Sequence, residues 1–275
     1  MSIDCKRLFF SCCSVQELRD QPDHPVWVVE VSDGATADCA IRKQQAHAKT
    51  VSKLHVPKVL LMAGTDRASS ASGRRFMLAL LKALTSSQPD VLQVLRSVSL
   101  HLIFDADPSA SDVDCTASPV AMGAAAEEAI INYAIREKFA MILIPEFQSI
   151  GPTGLSQSGL RLQLEKQLGE IYIQHLNRVT SCSPAVNRPK LPFLSRLAFN
   201  STAMFRLGMS CCTGANQIEP IFAAHRSALM QLLLSSRQGI AGLVTNPEGQ
   251  PLVSTVKVTS STSRRAITEP PYLDR

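Results

Sequence analysis

The chain has 275 residues, 45% of them hydrophobic and 19% charged, which is enough apolar side chain for one large domain or two smaller ones. A formal net charge of +5 from scattered Lys and Arg, with only 5% aromatic residues, argues against the basic, aromatic-interleaved stripe of a nucleic-acid surface. No run is long and apolar enough to span a membrane, and the first ten residues make a poor signal peptide, with Asp4 in the charged region and a short apolar core at Leu8-Phe9-Phe10.

In chain order, residues 26–31 (VWVVEV) read as a strand, and Ser32-Asp33-Gly34 turns out of it. Residues 35–55 are polar without a strong period and read as a loop. Residues 59–62 form a short apolar run after Pro57 that ends at Gly64, the pattern of a strand buried on both faces. Residues 74–84 are helical, with Phe76, Leu80 and Leu84 on one face and Met77 and Leu81 beside them. Between them lies a loop, residues 65–73. Loops leaving the carboxyl ends of strands line the crevice of an open α/β sheet, so this is the first place to look for chemistry.

The loop itself is poor in reactive groups. It lacks the G-x-x-x-x-G-K-[ST] spacing of a phosphate loop, and no G-x-S-x-G nucleophile elbow occurs in the chain. It also lacks the His and Glu ligands that a zinc peptidase needs.

Residues 91–95 extend the helical region, and residues 98–104 (VSLHLIF) are the next strand. His101, mid-strand among apolar neighbours, reads as a packed histidine rather than a ligand. Residues 105–122 form a loop whose Asp105, Asp107, Asp112 and Asp114 lack calcium-loop spacing. Glu127 and Glu128 open a helix whose expected buried face is Ile130, Ile131, Ala134 and Ile135. Residues 140–145 (AMILIP) are another apolar strand, with Glu146 at its carboxyl end and no acid or histidine nearby in sequence to partner it.

Residues 160–176 form an amphipathic helix through Leu160, Leu164, Leu168 and Ile171, with His175 near its end. Residues 180–199, with Pro184, Pro189 and Pro192, read as loop. Residues 203–209 read as a strand, and residues 220–234 as a helix with Pro220 in its first turn. Residues 239–245 and 252–258 form a hairpin about Asn246-Pro247-Glu248-Gly249, and residues 259–275 have the composition of a disordered tail. Alternation of helices and strands to about residue 236 predicts an α/β fold with a mixed, mostly parallel sheet flanked by helices.

The eight cysteines include adjacent pairs at Cys12-Cys13 and Cys211-Cys212 and no C-x-x-C, which argues against a zinc ribbon. Disulfides in a secreted chain and buried thiols in a cytosolic one both fit. Asn200-Ser201-Thr202 is a glycosylation sequon, meaningful only in the secretory pathway.

The order of segments resembles the zinc metallocarboxypeptidases, specifically the regulatory branch of carboxypeptidases D, E, M and N. His24 to Asp33 (HPVWVVEVSD) is similar to the branch's G-R-x-L-x-V-L-E-I-S-D segment. Gly73-Arg74-Arg75 before a leucine-rich helix is similar to the second half of H-G-N-E-x-x-G-R-E, and residues 98–108 resemble R-I-H-L-x-P-x-x-N-P. Gly208-Met209-Ser210-Cys211-Cys212 stands where the branch has E-L-S-C-C-K. Residues 239–251 (GIAGLVTNPEGQP) resemble G-I-K-G-x-V-T-D-x-x-G-x-P, the first hairpin of a transthyretin-like module. The implied domains are 1–236, a degenerate carboxypeptidase-like unit, 237–258, the start of the transthyretin-like module, and 259–275, a disordered tail.

The same resemblance implies a changed site. It puts Arg67 at the zinc-binding His, Ser70 at the zinc-binding Glu, Glu146 near the third ligand, and Gly208 at the general-base Glu. The D-L-N-R-N-F and G-G-M-Q-D-Y-N-Y segments have no counterpart. Catalytic zinc takes about three protein ligands and a water, and an Arg67 cation would repel it. Without zinc nothing lowers the water's pKa, and without a carboxylate at Gly208 nothing moves its proton. The implied function is a carboxypeptidase D-like binding or scaffold module of the secretory pathway. It has no zinc or other cofactor and no catalytic residue, and it takes a peptide or protein partner. Arg67 would attract an anion such as a peptide carboxylate. The alternative is an active zinc carboxypeptidase that removes C-terminal basic residues with ligands recruited from Glu146, His101 or His47.

Overall fold

The computed structural model describes residues 12–18, 25–32, 56–65, 70–86, 88–107, 122–155, 159–177, 192–198, 201–211, 218–236, 257–258 and 267–268. The elements begin with β1 (Cys12–Glu17), β2 (Trp27–Ser32), β3 (Lys58–Met62), α1 (Ser70–Leu84), α2 (Pro89–Ser97) and β4 (Ser99–Ile103). They continue with α3 (Ala124–Glu137), β5 (Phe139–Glu146), β6 (Gln148–Gly154), α4 (Gly159–His175), α5 (Pro192–Ala198), β7 (Ser201–Cys211) and α6 (Ile218–Ser235). A separate two-stranded pair, β8 (Lys257–Val258) and β9 (Ile267–Thr268), follows.

The main sheet has seven strands in the order β1-β2-β4-β3-β5-β7-β6. Its centre, β4-β3-β5-β7, is parallel, while β2 and β1 at one end and β6 at the other run antiparallel to their neighbours. The mixed α/β expectation holds. β3 lies between β4 and β5 and is apolar on both faces, as its sequence predicts: Val59 and Leu61 enter one core layer, Leu60 and Met62 the other. α1, α2, α4 and α6 cover the first layer, and α3 and α5 cover the second. Covering both faces lets the parallel strands be apolar throughout.

Several boundaries differ from the sequence reading, each for a physical reason. α1 starts at Ser70, inside the expected loop. Gly73, with its low helix propensity, reads as loop, yet a Cβ at that position would lie 2.9 Å from Ala63 Cβ, so the glycine is what lets α1 approach the end of β3. In α3, Ile135 is 52% exposed while Tyr133 is buried. The buried stripe runs through Ala126, Ile130 and Tyr133 because the Tyr133 hydroxyl meets His101 beneath it.

α5 lies within the stretch expected to be loop. Its Pro192 sits at the helix start, where a missing N–H costs nothing, and Phe193, Leu194 and Leu197 are buried. β6 carries Gly151, Pro152 and Gly154, a poor strand composition that an edge strand tolerates. β1 has little apolar alternation and is the other edge. The hairpin expected over 239–258 lies outside the described residues except at Lys257 and Val258, which pair with Ile267 and Thr268.

Candidate functional site

The carboxyl ends of β4, β3, β5 and β7 form one edge of the sheet, and the polar side chains gathered there define the candidate site. After β3 the chain crosses to β4 through backbone bonds: Ala63 N–H donates to Ile103 O at 2.9 Å, and Ala106 N–H to Ala63 O at 2.8 Å. Gly64 takes φ +74°, and a Cβ on it would lie 2.5 Å from Asp105 Oδ1. Only a glycine both adopts this backbone without strain and leaves room for that carboxylate.

Asp105 is held from α1. Arg74 ion-pairs with its Oδ2, and the Ser70 hydroxyl donates to its Oδ1 at 3.3 Å while accepting from Arg74 Nη1 at 3.2 Å. Burial pushes the Asp105 carboxyl above the usual aspartate range, against the pull of Arg74 and Ser70. Asp107, also buried, accepts from Gly123 N–H at 3.1 Å and so anchors the start of α3. Neither aspartate belongs to an open acidic loop.

Glu146 is the last residue of β5 and only 3% exposed, so it is a buried strand residue. Its partner is Arg206 of β7, which ion-pairs with Oε1. Gly208 lies opposite Glu146 in the β5–β7 register and opposite Gly151 on β6. The structure thus brings Glu146 and Gly208 to neighbouring strand positions and sets Ser70 at the head of α1. Arg67, His47 and Asn200 lie outside the described residues.

His101 is elsewhere. It sits in mid-β4, four residues from Asp105, roughly 13 Å along an extended chain. It is buried, with Nδ1 2.5 Å from Tyr133 Oη and Nε2 3.3 Å from Ser99 Oγ. Phe139 packs edge-on at 5.1 Å. The packed-histidine reading holds, and the sequence missed its two hydroxyl partners, which come from a later helix and the same strand.

Among the described residues, no group of three His, Cys, Asp or Glu side chains is placed to hold a metal ion. The side chains at the positions implied for zinc have other engagements. The Ser70 hydroxyl has its one proton on Asp105, and Glu146 is engaged by a guanidinium. A hydroxyl is not among zinc's usual donors of thiolate, imidazole and carboxylate, and the one carboxylate of this pair is engaged by Arg206. Arg74, Arg206 and Asp105 complete the edge, and nothing in the order of residues signals the pairs they form. The two pairs span 31 and 60 residues of chain.

No family model matches the chain, and no curated protein matches it in sequence. Solved structures do. A protein of Shewanella denitrificans assigned as a carboxypeptidase A aligns with a TM-score of 0.58 at 10% identity, covering 86% of this chain and 68% of that one. A metallo-carboxypeptidase from Burkholderia cenocepacia aligns at 0.56 and 11% identity, covering 82% of this chain and 66% of that one. Carboxypeptidase A from Helicoverpa armigera aligns at 0.55 and 9% identity, covering 82% and 68%. The chain therefore spans about two thirds of the length of these proteins. Identity this low carries the backbone path and leaves chemistry to the site. Among the described residues, no helix is long and apolar enough to cross a membrane. The mixed sheet and its flanking helices are similar to the metallocarboxypeptidase fold, and that fold is what this chain shares with them.

Proposed function

We propose that this chain is a carboxypeptidase-like binding or scaffold module that neither holds zinc nor hydrolyses peptides. The observation that carries the reading is the pairing at the carboxyl edge, where Glu146 is engaged by Arg206, and Ser70 by Asp105 and Arg74. A catalytic zinc needs about three protein ligands and an open position for water, and neither of these two groups is at liberty to supply one. Gly208, opposite Glu146, brings no carboxylate to take a proton from water.

The partner class that fits is a peptide or protein, with Arg67 as the anchor for a carboxylate. The module belongs in the secretory pathway on the strength of the family resemblance and the Asn200 sequon. The resemblance in the final third also supports the transthyretin-like module beginning near residue 237. Peptides ending in Lys or Arg, incubated with the purified chain and added zinc, test the reading. No release of the terminal residue is expected, and chelator-sensitive release would overturn it. Peptide binding, where found, is expected to be lost in Arg67→Ala.

A further inference from the structure

We propose that two internal ion pairs, Arg74–Asp105 and Arg206–Glu146, take the place of a bound metal as the ties that hold the carboxyl ends of the parallel strands together. The inference rests on the non-catalytic reading above and adds what the edge uses instead of an ion.

Strand order makes the case. A metal held by the segments after β3 and β5 would draw side chains inward, across the central β3–β5 boundary. Here they turn the other way. Ser70, from the helix after β3, bonds outward to Asp105 beyond β4, and Glu146, at the end of β5, pairs outward with Arg206 on β7. The β3–β5 boundary itself is closed by apolar contact, with Phe76 of α1 meeting the buried Phe147 ring edge-on at 6.0 Å. Each half of the edge thus has its own polar tie, and an aromatic contact joins the halves.

Both pairs are shielded enough to matter. Side-chain exposure is 31% and 16% for Arg74 and Asp105, and 15% and 4% for Arg206 and Glu146. Removing one member of a shielded pair leaves the other charge uncompensated, which destabilises far more than losing a surface pair. Gly64 is part of the same device, because its missing side chain gives Asp105 the space to reach Arg74.

Thermal melts of the full chain in chelator, in plain buffer and in added zinc test this. One midpoint is expected in all three, with Asp105→Asn and Glu146→Gln each melting about 5–10 °C lower. An unchanged midpoint in either variant overturns the tie at that pair and leaves the non-catalytic reading standing. A wild-type midpoint that falls in chelator, or rises with zinc in a way Glu146→Gln abolishes, overturns both. If those variants yield no folded protein, Arg74→Lys and Arg206→Lys keep the charge but lose the planar fork. These should melt about 2–4 °C lower, and no change in them overturns the proposal.

Discussion

At the scale of single residues, the edge depends on atoms that are missing as much as on those present. Gly64→Ala must place a Cβ at φ +74° and 2.5 Å from Asp105 Oδ1. A loss of about 1–3 kcal/mol in denaturant unfolding is expected from the strained backbone and the displaced carboxylate. A third ion pair, at the opposite edge, gives a pH test. Lys58 Nζ donates to Glu137 Oε2 at 2.9 Å. Burial raises the Glu137 carboxyl, but Lys58 and Arg136 outweigh it and hold the group below the usual glutamate range. Its folded pKa is depressed, so its stabilisation is present above the ordinary glutamate value and is lost as pH falls through the folded one. Lys58→Met should therefore cost about 0.5–1 kcal/mol at pH 7, since Arg136 still pairs with the part-buried Glu137 carboxylate. The gap to wild type should close as acid titrates Glu137, as read from unfolding curves across pH. Sequence made Ser70 and Glu146 conspicuous as positions. It could not supply Asp105 and Arg206 as their partners, because strand order decides which distant residues meet.

At the scale of elements, long periodic stretches were legible and short or irregular ones were not. β3, β4, β5 and α6 follow from apolar runs and helical spacing. β1, β6 and α5 do not: two are edge strands without clean alternation, and the third is a single two-turn helix opened by a proline. The helix pair α4–α6 adds a buried polar lock that periodicity could not disclose. Tyr172 Oη lies 2.6 Å from His225 Nδ1, and both residues are fully buried. Tyr172→Phe keeps the ring and removes this bond, so a loss of about 1–3 kcal/mol is expected in equilibrium unfolding. No loss would mean that the hydroxyl contributes only volume.

For the whole molecule, fold and chemistry are separate questions. A seven-stranded sheet with helices on both faces is similar to that of metallocarboxypeptidases at about 10% identity, a level that speaks for the fold and leaves function to the site. In this chain Asp105 and Glu146 at the carboxyl edge pair with Arg74 and Arg206. The α/β class was legible because apolar periodicity is a property of every strand and helix. The ion pairs at the edge were not, because they are a property of the assembled sheet. Zinc stoichiometry of the full chain after equilibrium dialysis tests the central claim most directly. The account predicts no zinc retained above the dialysis buffer, whereas one ion per chain, lost in Glu146→Gln, would contradict it.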